Sequence, residues 1–201
     1  IMSGNFVQRG EPALMDKWIR AKTAIDNGIN LVVELPIVNA ISSAEKFAHG
    51  SIHLLNQMGI VDDIVFGSES GDLSLIEKTA EFLSIESNSY KAHLKNHLNN
   101  GVSFPSAREM ALQDIGFSNN NLKSNDILGI EYIKAIRRLN SPISYHLLKR
   151  ESVDYHSLQL VNSFASATGI RQWIKNDDYL SVRSSTPPLT YQTISELSLI
   201  H

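Results

Sequence analysis

The chain has 201 residues, 42% of them hydrophobic and 19% charged, enough apolar content for one domain with an appendage or two small ones. It contains no cysteine, which excludes a disulfide framework, a thiolate zinc site and a cysteine nucleophile, and which fits a reducing compartment. A formal net charge of −3 argues against a surface given over to gripping nucleic acid, so RNA contacts would need a local patch or parts of the protein outside this chain. No apolar run nears the roughly 18 residues of a membrane span, and Ile1-Met2-Ser3-Gly4 does not read as a signal peptide. A cytoplasmic protein with neither a membrane nor a DNA partner is expected.

In chain order, the first helical pattern places Leu14, Trp18, Ala21 and Ile25 on one face, and Gly28 marks its end. The run Leu31-Val32-Val33-Glu34-Leu35 then reads as a buried strand. Ser42 with Glu45 forms a capping-box signature for a helix carrying Phe47, Leu54 and Met58, which Gly59 stops. A second strand covers Ile64-Val65-Phe66, and Asp72 caps a helix through Leu75, Ile76 and Phe82. Residues 87–121 break the rhythm: they are polar, rich in Asn and Ser, and suit an insertion of two short helices over the sheet edge, the second starting at Pro105, with Asn119-Asn120-Asn121 as a loop. A helix from about Asn125 to Leu139 leads into a third strand, Ile143 to Leu148. Ser184-Ser185-Thr186-Pro187-Pro188 marks a break near a domain border. Strands alternating with helices predict an α/β fold, an open parallel sheet with helices on both faces and a helical insertion.

Ligands of such sheets bind beyond the carboxyl ends of the strands. That rule selects the loops Ser3 to Pro12, Gly67-Ser68-Glu69-Ser70-Gly71-Asp72, and Lys149-Arg150-Glu151 with Asp154-Tyr155-His156, which converge on one edge if the strands are parallel. Ser166-Ala167-Thr168-Gly169-Ile170-Arg171 reads as a helix start, open to two interpretations. One is an N-capped amphipathic helix with a surface Arg; the other is a phosphate site, built from free N–H groups, the helix dipole and the Arg171 fork. His49 with His53, and His93 with His97, are four apart, but neither pair has a third ligand at metal-binding spacing, so structural roles are expected and no metal site is assigned. Trp18 and Trp173 read as core anchors. No Walker loop, Gly-x-Gly-x-x-Gly run or Gly-x-Ser-x-Gly elbow is present, which argues against a P-loop enzyme, a dinucleotide dehydrogenase and a serine hydrolase.

Several of these runs occur together in one order: Ser3-Gly4-Asn5-Phe6-Val7-Gln8-Arg9-Gly10-Glu11-Pro12-Ala13, Asp16-Lys17-Trp18, Leu31 to Pro36, Phe66 to Asp72, Asn125-Asp126-Ile127-Leu128-Gly129, Asp154-Tyr155-His156 and Ser166 to Arg171. In this the sequence resembles the tRNA(Met) cytidine acetate ligase family over residues 1–171. The resemblance implies a Rossmann-like nucleotidyltransferase domain over residues 1–176, with 177–201 opening a C-terminal helical extension. It implies a two-step ligase: ATP and acetate give acetyl-adenylate, and the N4 amine of the wobble cytidine in the anticodon of elongator tRNA(Met) then takes the acetyl group. On the matching positions Gly67, Asn125 and Arg150 would contact ATP, Ser166, Thr168 and Arg171 would act on the phosphates, and Mg²⁺ is expected with the nucleotide. The family pattern also opens with a strand and a His-x-Gly-His motif and continues into a helical region. This sequence has neither, so both ends are expected to be cut. Two other functions stay open: an adenylyltransferase of the same superfamily acting on a small metabolite, and a non-catalytic nucleotide- or RNA-binding module.

Overall fold

The computed structural model describes residues 1–8, 10–117, 122–150 and 165–198. Arg9, the Asn119-Asn120-Asn121 loop, Glu151 and Asp154-Tyr155-His156 lie outside the described residues. In chain order the elements are β1 (Met2–Ser3), α1 (Lys17–Asp26), β2 (Glu34–Leu35), α2 (Ile37–Ala40), α3 (Ala44–Met58), β3 (Asp63–Ser68), α4 (Leu73–Ile85), α5 (Asn88–Asn99), α6 (Phe104–Asp114), α7 (Ser124–Arg138), β4 (Ser144–Lys149), α8 (Ala167–Lys175), α9 (Tyr179–Ser185) and α10 (Pro188–Ser198). They divide into two compact units, one formed by Ile1–Leu54 with Arg150–His201 and the other by Leu55–Lys149. Among the described residues no helix is long and apolar enough to cross a membrane.

In the first unit β1 and β2 pair in parallel, Met2 opposite Glu34 and Ser3 opposite Leu35. The ladder is shorter than the apolar run predicts: Leu31 and Val32 lie outside it, and Val33 contributes only its carbonyl, which accepts from Met2 N at 2.8 Å. Asp16 caps α1 by accepting from the amides of Trp18 and Ile19 at 2.7 and 3.0 Å, which stops the helix from extending back to Leu14. The apolar face expected of this helix is not the buried one. Trp18 is 75% exposed, with Leu14 and Ile25 also open, whereas Thr23 is buried. Thr23 and Asn27 face α10, with hydroxyl contacts to Thr193 and Thr190 at 3.4 Å, so the neighbouring helix decides which face is covered. Trp18 is therefore no core anchor; its ring lies 5.3 Å from Lys17 Nζ. Trp173 is half-buried on α8. The capping serine of α3 is Ser43, not Ser42: Ser43 accepts from the Lys46 amide, while the Ser42 hydroxyl turns back to donate to the Val38 carbonyl.

The second unit is built on β3 and β4, parallel over six positions from Asp63 opposite Ser144 to Ser68 opposite Lys149. Both ladders are thus parallel, as the alternating pattern predicts, but among the described residues they form two separate two-stranded sheets and not one continuous one. The core of this unit joins Phe66 of β3, Ile76, Ala80 and Leu83 of α4, Ile130 and Ile133 of α7, and Tyr90, Ala111 and Leu112 of α5 and α6. Residues 87–117 therefore add side chains to the core of this unit. Ser87 caps α5 by accepting from the Tyr90 amide, which sets that ring into the shared core. A buried ionic link adds to this. Glu131, only 3% exposed, receives Arg108 of α6 at 2.8 Å and Lys134 of its own helix at 2.9 Å. The His93–His97 pair is structural: both rings meet the Asp114 carboxylate, at 3.1 and 2.7 Å. The hydrogen bond from His97 holds that carboxyl below the usual range.

Candidate functional site

In the second unit the parallel register brings the carboxyl ends of β3 and β4 side by side, with Gly67 opposite Leu148 and Ser68 opposite Lys149. The turn after β3 is then tied to the first turn of α7. Asp126, fully buried, accepts from the Ser68 hydroxyl at 2.5 Å, the Ser70 hydroxyl at 3.0 Å and the Ser70 amide at 3.2 Å with one oxygen, and from the Lys123 amide at 3.1 Å with the other. Ser68 in turn accepts from the Gly71 amide at 2.9 Å. Gly71 has a left-handed backbone, φ +68°, and an added Cβ would stand 2.6 Å from Lys149 Cδ, so only glycine closes this turn against β4. Asp72 then caps α4 through the Leu75 amide, as its position in the sequence predicts.

Glu69 completes the turn. Its carboxylate receives the Asn125 side-chain amide at 2.6 Å and the Asn125 backbone amide at 3.1 Å. Two sequence-predicted residues, Gly67 and Asn125, are thus carried by elements that one hydrogen-bond network joins. Gly129, a turn further along α7, allows the helix to press on β3: a Cβ there would lie 2.5 Å from Phe66 Cε2. Glu69 and Asp126 stand within the runs that the sequence singles out, yet nothing in the sequence pairs them with partners 56 and 58 positions away.

In the first unit Gly4 follows the carboxyl end of β1, and Glu34 opens β2 beside it. Glu34 pairs with Lys17 Nζ at 2.7 Å, and a Cβ on Gly4 would collide with the Glu34 carboxylate. Arg20, which the sequence does not single out, donates to the carbonyls of Ser3 and Gly4 at 3.0 and 2.7 Å. Burial and, next, the charge of Arg171 hold the Arg20 guanidinium below its ordinary value. Two like charges thus come within electrostatic reach near the turn after β1, an arrangement that an anion would relieve.

Ser166 is 4% exposed and caps α8, its hydroxyl accepting from the Gly169 amide at 2.9 Å. This is the plain interpretation of that helix start, and it leaves Thr168 and Arg171 half-buried on the first turns. Arg150 is exposed and directly follows β4. Among the described residues no group of three or more His, Asp or Glu side chains is placed to hold a metal ion. A cavity of about 110 Å³ between α6 and α7, lined by Arg108, Leu112, Phe117 and Ile127, is smaller than a nucleotide and includes none of the predicted residues.

The geometry can be set beside known proteins. The chain is 47% identical over 197 residues to a tRNA(Met) cytidine acetate ligase of Caldicellulosiruptor bescii, covering 98% of this chain and 48% of that protein. It is 46% identical over 195 residues to one of Clostridium novyi, covering 94% and 48%. It therefore spans about half the length of the curated relatives it matches. Crystal structures of Thermotoga maritima TmcAL superpose with a TM-score of 0.87 for the form bound with alpha-thio ATP and 0.90 for the apo form, at 37% identity over 99% of this chain and 48% and 49% of theirs. The family profile described as HIGH Nucleotidyl Transferase matches residues 1–200. The two short parallel ladders are thus parts of a nucleotidyltransferase-type α/β fold, and the chain belongs to the HIGH nucleotidyl transferase family.

Proposed function

We propose that this chain is the nucleotide-binding part of an ATP-dependent ligase that acetylates N4 of the wobble cytidine of elongator tRNA(Met). The observation that carries the reading is the match of nearly the whole chain to proteins named tRNA(Met) cytidine acetate ligase, together with the likeness to a TmcAL bound with alpha-thio ATP. In the first step an acetate oxygen attacks the α-phosphorus of ATP, the bond to the bridging oxygen breaks, and pyrophosphate leaves. In the second the cytidine N4 amine attacks the acetyl carbon, AMP leaves and the amine loses a proton. Both steps build negative charge on phosphate oxygens, so positioning and electrostatic stabilisation are the main work of the protein.

The residue roles are those that the family resemblance suggests. Arg171, with Arg20 close in charge, favours the triphosphate, while Ser166 and Thr168 shape the helix start that faces it. Gly67 offers close backbone approach at the end of β3, and Asn125 and Arg150 contact the nucleotide. Mg²⁺ would accompany the nucleotide and neutralise part of the charge on its phosphates. Residues 1–176 form the nucleotide-binding domain, and 177–201 begin a helical extension. The protein is placed in the cytoplasm, where tRNA and ATP are at hand.

Calorimetric titration of the whole protein with ATP tests the reading, followed by transfer of labelled acetate to tRNA(Met). Arg171→Ala is expected to weaken ATP binding by about tenfold or more, the loss of a charge-assisted contact worth roughly 1.5–3 kcal/mol, with the circular dichroism spectrum unchanged. If the variant unfolds, or binds ATP as before, Arg171 has no place in the site. Tight ATP binding without acetyl transfer would point instead to an adenylyltransferase of another substrate or to a binding module.

A further inference from the structure

Asn125 is held by Glu69 in a way that fixes which end of its amide is offered outward. An amide side chain has a donor end and an acceptor end of nearly equal shape, and the same residue can present either. A carboxylate has only acceptors. With Glu69 Oε1 2.6 Å from the Asn125 side-chain nitrogen and Oε2 3.1 Å from its backbone nitrogen, the reverse orientation would set two oxygens against each other. The two-point grip spans the backbone and the side chain of one residue, so it sets the rotamer as well as the flip. Asp126, next in the chain, anchors the same turn through Ser68 and Ser70, which keeps Glu69 in place.

We propose that Glu69 is a positioning residue that turns the Asn125 carbonyl oxygen toward the nucleotide, making Asn125 an acceptor for a hydrogen-bond donor of the nucleoside. This rests on the reading that Asn125 contacts ATP. ATP carries such donors only on the purine amine and the ribose hydroxyls. Its phosphate oxygens and ring nitrogens are acceptors, which the Asn125 oxygen repels. Through that oxygen Asn125 reads the nucleoside, and Glu69, without touching the ligand, sets the preference.

The experiment compares the affinities of ATP, inosine triphosphate, 2′-deoxy-ATP and 3′-deoxy-ATP for the whole protein, as wild type, Glu69→Gln and Asn125→Ala. In the wild type the analogue lacking the recognised donor is expected to bind about tenfold more weakly than ATP, the worth of one hydrogen bond. Loss confined to inosine triphosphate identifies the amine, and loss confined to a deoxy analogue identifies the hydroxyl. In Glu69→Gln the amide can turn over, and the gap between ATP and that analogue is expected to close to about threefold or less. A wild type that binds all four alike overturns the proposal, whatever the variants do. So does a Glu69→Gln protein that weakens every nucleotide equally and keeps the wild-type ratio, since that is how a purely structural residue behaves. If Asn125→Ala binds ATP as the wild type does, the underlying assignment of Asn125 fails instead.

Discussion

Replacing Asp126 by Ala removes the acceptor on which the turn after β3 converges. The side chain is fully buried and receives four hydrogen bonds, two from the hydroxyls of Ser68 and Ser70 and two from the amides of Ser70 and Lys123. The hydroxyls lie 3.1 Å apart and can turn to each other, so they recover part of what they lose. The amides have no such freedom. An unsatisfied donor away from water costs about 1–3 kcal/mol, and both amides here are only partly buried, so the loss expected for the second unit is roughly 2–4 kcal/mol. Asp126→Asn keeps one acceptor oxygen for the serines and opposes a donor to the Lys123 amide, so about half that loss is expected. Hydrogen exchange read by NMR at the Ser70, Gly71 and Lys123 amides reports the turn directly, and exchange at these sites should quicken by tenfold or more in the Ala variant. Unchanged exchange there would mean that the turn is held by something other than Asp126, and the account of how Gly67 and Asn125 are joined would fall.

Gly129→Ala sets a methyl 2.5 Å from Phe66 Cε2 and 3.0 Å from Cδ2, against a buried ring. Overpacking of about 1–3 kcal/mol outweighs the helix-propensity gain of about 1 kcal/mol, so a lower urea midpoint is expected, restored in part by Phe66→Leu; a raised midpoint would refute the close approach. Burial pushes the Tyr132 phenol from 10 up to about 12. A raised acid is neutral in the fold, so its contribution is complete below pH 10 and is lost as pH rises through about 12, at most roughly 2–3 kcal/mol. Tyr132→Phe should flatten the fall of stability over that range and remove the last phenol to ionise in an absorbance titration; an unaltered alkaline limb would show that Tyr132 is open to solvent.

Local chemistry was legible and partnership was not. Asp72 as the cap of α4 and Ser166 as the cap of α8 follow from one residue and the three after it, and the structure has both. The Ser42–Ser43 exchange at α3 is the smallest error such reasoning makes, since adjacent serines offer the same oxygen. Trp18 is a larger one. Periodicity shows that a helix forms, but the face it buries is set by what lies against it, here the threonines of α10, some 170 positions away. Residues 87–117 look like an addition because they are polar, and four of their side chains, Tyr90, Ala107, Ala111 and Leu112, are nonetheless buried. Of the candidate site residues, Gly67, Asn125 and Arg171 stand in recognisable runs. Glu69, Asp126 and Arg20 act through partners that only the folded chain brings near.

The first unit is assembled from both ends of the chain, with α1 of one end packed on α10 of the other, while the second is a continuous stretch, Leu55–Lys149. On a ribosome these differ in when they can be completed. The continuous unit has all its parts once Lys149 clears the exit tunnel, whereas β1, α1 and β2, though made before it, must wait for the residues from Arg150 onward. The segment ahead of the continuous unit is the later of the two to find its core, and its Leu14, Trp18 and Ile25 stay open to solvent even once it is folded. Of the helices in these two units, α1 would be among those that nascent-chain chaperones attend longest.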